Sequence, residues 1–311
     1  MRQAQWIPDS IELDKPSAAR IYDYLLGGGH NLTVDREFAE KILAVQPEAR
    51  QFAIMNRAFL RRAVLFMIES GIRQFLDLGS GIPTVGNVHE IAQQADADCR
   101  VVYVDIEHVA VAHSELLLTG NDRAVMLQAD ITRPESVLNA PETKRMLDPE
   151  SPIGVLAVTI GHYIPPERDP FGVFREYRDA VAPGSLLALT HFTDDFARVK
   201  GAELTEMMKK SQNKVFARTR AEVLELFGDF ELVEPGLVTT SQWRPDRSTR
   251  NVDPEGDGLR PAPLLVSGAT VMLLVVSVIG SPTPSNPYVR PRSCSIFCWA
   301  SSAANVVVLA L

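Results

Sequence analysis

The sequence predicts a doubly wound α/β fold built on a mostly parallel sheet, and three observations predict it. Five short apolar runs, at 73–79, 100–105, 124–130, 153–160 and 185–191, are rich in the residues of strands buried on both faces. Helical stretches separate most of them, which is the alternation of βαβ units. The first run stops at a glycine turn, Asp77-Leu-Gly-Ser-Gly81.

The elements follow in order. Between about 35 and 70 the period is helical, with Phe38, Ile42 and Val45 on one face and Phe52, Met55, Phe59, Ala63 and Met67 on a longer stripe. A helix over about 85–94 follows the glycine turn and is expected to point its free N–H groups at it. Thr132-Arg-Pro-Glu135 and Thr219-Arg-Ala-Glu222 are capping boxes, each predicting a helix start. Phe171, Phe174, Tyr177 and Val181 form the buried stripe of the helix after the fourth strand, and Pro183-Gly184 turns into the fifth. Residues 229–238 predict a sixth strand, with Pro235-Gly236 placed to cut it short. Beyond Asp246 the composition shifts: 247–263 has the character of a linker, and Leu264 to Ile279 is almost wholly apolar. That segment is shorter than the roughly 20 residues of a membrane helix, so a buried or poorly ordered tail is expected over a membrane anchor. The resulting division is an N-terminal helical cap at 1–70, a core at 71–246 and an atypical tail at 247–311.

Composition narrows the function. Of 311 residues, 46% are hydrophobic and 23% charged, which suits a globular protein with a sizeable core. The net charge is −8 and no Lys/Arg run exceeds a pair, so no nucleic-acid partner is expected. Cys99, Cys294 and Cys298 are too scattered for a disulfide framework, and no Cys/His spacing predicts a metal site. The N-terminus lacks a signal peptide's apolar stretch, which predicts a cytoplasmic protein.

The chemistry is concentrated at strand ends. Gly79 and Gly81, flanking Ser80, permit a tight turn and close approach of a ligand. A dinucleotide fingerprint would want a third glycine where Thr84 stands, so a pyrophosphate is disfavoured. Asp77 suits a ligand carrying an ammonium group. Asp105, followed by Ile106, ends the second strand, where a carboxylate accepts both hydroxyls of a ribose. Asp130 ends the third, where it can accept from an adenine amino group while Ile131 covers the ring. Each aspartate alone is as readily a turn former. At the carboxyl ends of successive strands, the three together describe a site for S-adenosylmethionine, with Thr159 at the end of the fourth strand completing it.

On the acceptor side, His162 and Tyr163 follow that fourth strand, and His162 is a candidate general base because imidazole titrates near neutrality. The competing reading is that it only shapes the pocket, since methyl transfer can proceed by positioning alone. The N-terminal stretch Tyr22-Asp-Tyr-Leu-Leu-Gly27, with Gly28 and Gly29 after it, is either a lid over the cofactor or an interhelical turn.

These residues carry a resemblance. Ala19-Arg-Ile-Tyr-Asp-Tyr-Leu-Leu-Gly-Gly28, Asn56-Arg-Ala-Phe-Leu-Arg-Arg-Ala63, Phe75-Leu-Asp-Leu-Gly-Ser-Gly-Ile-Pro-Thr84, Tyr103-Val-Asp105, Ala129-Asp-Ile131 and Leu232-Val-Glu-Pro-Gly-Leu237 resemble the bacterial S-adenosyl methyltransferase family with a Tyr-Asp-Tyr-Leu-Leu-Gly-Gly signature, over about 10–246. The resemblance implies a Rossmann-like class I methyltransferase fold with helices on both faces and a helical lid containing Tyr22, Asp23 and Gly28. It places the donor over Gly79, Ser80 and Gly81, with Asp105 on the ribose and Asp130 and Ile131 at the adenine, and it brings Arg57 toward the pocket. Proteins of this pattern end soon after 246 in a final strand with an aromatic-Gly-Gly turn. Here that strand is missing, so either Val271 to Ile279 supplies it or the sheet lacks its last edge. The expected activity is methyl transfer to an oxygen or nitrogen of a small molecule; a noncatalytic donor-binding module and a nucleotide-dependent oxidoreductase are the alternatives.

Overall fold

A computed structural model describes residues 14–83, 86–193, 203 and 205–246, together with the backbone of 272–278. Five strands, β1 (Gln74–Leu78), β2 (Arg100–Asp105), β3 (Ala124–Gln128), β4 (Gly154–Val158) and β5 (Leu186–Phe192), run parallel in the order β3-β2-β1-β4-β5. The chain moves outward from β1 in one direction to β3, then returns to its other side for β4 and β5. That reversal opens a crevice at the carboxyl ends of the strands, where open α/β sheets bind ligands.

Successive strand residues point to opposite faces. Phe75, Val101, Tyr103, Leu156 and Ala188 pack on one side against α3 (Ala49–Glu69) and α4 (Val88–Ala95). Leu76, Leu78, Val102, Val104, Val155, Leu187 and Leu189 pack on the other. There they meet α6 (Pro134–Leu138), α7 (Pro141–Met146), α8 (Pro170–Asp179) and α9 (Arg220–Glu225). α5 (His108–Leu117) follows β2. Phe59, Ala63 and Met67 repeat every helical turn along α3 and are fully buried, as the stripe predicted. Trp243 closes that layer, edge-on to Phe59 at 5.4 Å and to Phe66 at 5.7 Å. Buried Arg62 ties it down through the Trp243 and Thr240 carbonyls at 3.0 and 2.6 Å.

The N-terminal cap consists of α1 (Ala18–Leu25) and α2 (Thr33–Val45). Arg20, with no exposure, donates to Asp35 at 2.7 Å and to Glu107 at 3.0 Å. Asp35 also accepts the backbone N–H groups of Ser17 and Leu32. Glu107 caps α5 by accepting from the Ala110 N–H at 2.9 Å. One arginine therefore joins the cap to the segment just after β2.

Several expectations change. Residues 229–238 do not form one strand: β6 (Glu231–Leu232) and β7 (Val238–Thr239) flank a turn at Pro235-Gly236, where proline lacks the N–H a ladder needs. Thr132 is no helix cap. Its N–H and hydroxyl both donate to Asp130, and α6 starts after Arg133. Thr219 and Glu222 do form the predicted box. The helix after the glycine turn starts only at Val88, with Glu90 accepting the Gly86 and Asn87 N–H groups and Tyr103 accepting that of His89. Its N-terminal donors are thus taken within the protein. The apolar segment supplies β8 (Met272–Val278), antiparallel to β5 from Leu186↔Val278 to Phe192↔Met272 and flanked by β6 and β7. The expected linker at 247–263 and the chain after 278 lie outside the described residues. Among the described residues no helix is long and apolar enough to cross a membrane.

Candidate active site

The carboxyl ends of β1 to β4 open into a cavity of about 410 Å³ whose other walls come from α1 and α3. Gly79 and Gly81 hold left-handed backbone, with φ of 70° and 69°, which glycine adopts at little cost. A Cβ on Gly79 would run into Ile160. The Gly79 and Ser80 N–H groups donate to the Val104 carbonyl at 2.7 and 3.1 Å, pinning the turn to β2. Ser80 lines the cavity, and its buried hydroxyl has no partner among the described residues.

Asp105 lies beside that turn and accepts from the Gly81 N–H at 2.7 Å and the Glu107 N–H at 2.9 Å. Burial pushes its carboxyl up to about 6, against the pull of those two donors. Asp77 is pushed further, to about 7, by burial and by the Asp105 charge, while Arg57 opposes the rise. Arg57 lines the cavity and donates to the Gly86 carbonyl at 2.8 Å. Asp130 accepts twice from Thr132, at 2.7 and 2.9 Å. Ile131 is buried, and its carbonyl is held by the Tyr177 hydroxyl at 2.9 Å. Ile106 lines the mouth with 59% of its surface exposed. An isoleucine left so open at a cavity rim is available to cover an apolar ligand face.

Over the end of β4, Thr159 has φ of 64°, unusual for a β-branched residue. Its N–H donates to the Thr190 hydroxyl at 2.8 Å, and its own hydroxyl accepts from Asn56 at 2.5 Å. Asn56 also donates to the Tyr22 hydroxyl at 3.0 Å, which itself donates to the Ala53 carbonyl at 3.1 Å. Tyr163 completes this wall.

The cavity thus gathers Asp77, Gly79, Ser80, Gly81, Asp105, Ile106, Asp130, Ile131, Thr159, Tyr22 and Tyr163. Three expected residues lie outside it. His162 is fully buried behind the wall, against Phe192 at 4.2 Å and Tyr163 at 4.3 Å, with no partner for either ring nitrogen among the described residues. Burial, with His191 and Arg218 nearby, holds its pKa far below the ordinary value. It packs behind the wall and does not line the cavity, where a general base was expected. Asp23 and Gly28 also miss the cavity. The Asp23 carboxylate accepts from the His30 N–H and the Asn31 amide, both at 2.8 Å, and Gly28 leaves room for it. They build the glycine turn after α1 and do not line this cavity. His191 is likewise internal: Arg218 donates to Nε2 and Nδ1 faces the Phe192 carbonyl, each at 2.7 Å.

Sequence reasoning missed Asn56 and Asn213. Asn56 stood inside the quoted Asn56–Ala63 motif with nothing local to mark it. Asn213 accepts from the Ala18 N–H at 2.9 Å across 195 positions of the chain, a contact no local pattern signals.

A doubly wound parallel sheet with a cavity at its switch point is the Rossmann-like class I architecture. Residues 4–261 match the S-adenosyl methyltransferase family model, and the chain belongs to that family. It is similar to the crystal structure of a protein described as a methyltransferase from Thermobifida fusca, with 38% identity and a TM-score of 0.80 over 89% of this chain and 100% of that one. It is also similar to a DUF574 family protein from Streptomyces avermitilis, with 34% identity and a TM-score of 0.78 over 86% of this chain and 100% of that one. No curated protein matches the chain.

Proposed function

We propose that the strand-end cavity holds S-adenosylmethionine and that the methyl group passes to an oxygen or nitrogen of a small molecule. The observation that carries this is the set of three aspartates, Asp77, Asp105 and Asp130, lining one cavity at the ends of three neighbouring strands. Bound there, the donor supplies a sulfonium whose methyl carbon is electrophilic. Asp105, fixed by two backbone donors, keeps lone pairs for ribose hydroxyls. Asp77 and Arg57 offer one charge of each sign, matching the ammonium and carboxylate of an amino-acid end. Asp130 accepts from the adenine amino group between Ile106 and Ile131. Gly79 lets that ligand approach the backbone, and the unpartnered Ser80 hydroxyl provides a further hydrogen bond.

Titration calorimetry tests the assignment. S-adenosylmethionine and S-adenosylhomocysteine are expected to bind and NAD not to. Asp105→Ala should weaken both sulfur ligands about 10- to 100-fold, the worth of hydrogen bonds to a charged group. Binding of NAD alone would overturn the proposal.

A further inference from the structure

The cap meets the core along α5, and the contacts there differ in kind. At the N-terminal end of that helix Arg20 donates to Glu107 at 3.0 Å, and Ala19 packs against the cluster of Ile82, Val109 and Ala110. Further along, the His30 ring meets the His113 ring, with centroids 4.1 Å apart and planes tilted by 54°. Both histidines are half-buried. His30 follows directly on Gly27-Gly28-Gly29, the turn that does not line the cavity. We propose that this imidazole pair is an acid-sensitive clasp: while both rings are neutral it holds the glycine turn on α5, and proton uptake by the pair releases the turn and loosens α1 over the cavity.

The turn carries His30 as one unit with α1. The Asp23 carboxylate accepts from the His30 N–H and from the Asn31 amide, both at 2.8 Å, and Asn31 also donates to the Gly28 carbonyl at 2.9 Å. Arg36 brings a positive charge from α2 and donates to both oxygens of Asn31 at 3.0 Å. Gly27 stands at φ of 82°, a conformation glycine takes at little cost. α1 contributes Ser17, Ala18, Ala19, Tyr22 and Leu26 to the cavity wall. A turn that leaves α5 therefore frees the C-terminal end of a helix that covers the cavity.

Imidazole is the side chain whose charge changes near neutral pH, and two rings this close repel once both are charged. The ionisable groups acting on His113 among the described residues are His30 and Asp23, both from the cap. β2 and β3, on which α5 also packs, bring none to it. Burial and His30 disfavour the charged form of His113 while Asp23 favours it, and the first two prevail, so its pKa lies below the ordinary value. Released into water, the same ring takes up a proton more readily. The stability of the docked turn is therefore present above about pH 6.5, the value of a free imidazole, and is lost as pH falls below it. Asp77 and Asp105 act with the opposite sign, because burial raises their pKa.

Hydrogen exchange on the full-length protein without ligand tests this, between pH 7.5 and 5.5 and with intrinsic rates corrected for pH. Protection of the amides in 18–32 should fall severalfold relative to β1 and β4, toward the limit of about tenfold per pH unit that one proton sets below 6.5. His113→Phe keeps an aromatic ring at the contact and cannot take up a proton, so protection of 18–32 should change by less than about twofold over the same range. His30→Phe should behave alike, and it serves if the first variant fails to fold. Cap protection independent of pH in the unsubstituted protein, the same fall in either folded variant, or a fall shared equally by β1 and β4 would overturn the proposal. The measurement contains no ligand, so its failure leaves the donor assignment standing, and a failure of S-adenosylmethionine to bind leaves the clasp standing.

Discussion

Burial holds the Asp77 and Asp105 carboxyls well above an unfolded carboxyl, near 3.9. The folded state therefore keeps protons that the unfolded state gives up. The stability these groups contribute is present below about pH 4 and is lost as pH rises through about 6 and about 7. Asp77→Asn, which cannot ionise, should gain in Tm relative to the unsubstituted protein as pH rises from 5 to 8. A Tm difference independent of pH would contradict this. Donor affinity should move the opposite way, because an ammonium needs the ionised carboxylate. S-adenosylmethionine binding should strengthen about tenfold per pH unit for each carboxylate that has to ionise, and then weaken as the ligand's own amino group loses its proton near 7.7–8.0. Calorimetry between pH 5 and 9 checks both limbs. At this scale the sequence was informative where geometry is local: a carboxylate ending a strand can be read from the strand. It misled where geometry is not local. His162 has the right residue type and the right distance from β4, yet the short 3₁₀ turn over Gly161–Tyr163 directs it inward and gives the cavity to Tyr163.

Elements are held by a few buried polar contacts. Arg20 neutralises Asp35 and Glu107 at once, and Glu107 is bonded through its N–H to Asp105. Arg20→Met would leave two inward carboxylates unpaired, at a cost of about 3–5 kcal/mol. The expected result is earlier proteolysis within the cap and weaker S-adenosylmethionine binding; unchanged protease sensitivity would refute the link. Thr219→Ala removes a true capping box and should cost about 1 kcal/mol in denaturant unfolding. Thr132→Ala should cost no helix cap, because its hydroxyl serves Asp130 instead. The two sites share one sequence pattern, so the pattern alone could not separate them. What decides is the neighbouring aspartate, which engages Thr132 before the helix can.

For the whole molecule, the parallel half of the sheet was legible because strands buried on both faces must be apolar, and five such runs stand out. The far edge was less legible. β6 and β7 are two residues each, too short for periodicity, and β8 lies beyond a change in composition. Its pairing with β5 over seven positions covers an edge that would otherwise expose unpaired N–H and C=O groups. Val275→Pro, opposite Leu189 in that ladder, removes a backbone donor from a strand with neighbours on both sides. Poor solubility and a lowered Tm are expected; normal yield and unchanged Tm would show the edge to be dispensable.

On the reading proposed above, the strand-end aspartates form the donor site. A crystal structure of the complex with S-adenosylhomocysteine tests it most directly. The predicted result is adenine between Ile106 and Ile131, ribose hydroxyls on Asp105, and the amino-acid end against Asp77 and Arg57, with the thioether sulfur directed toward Thr159 and Asn56. Ligand bound elsewhere, or bound in this cavity without contact to Asp105, would contradict it.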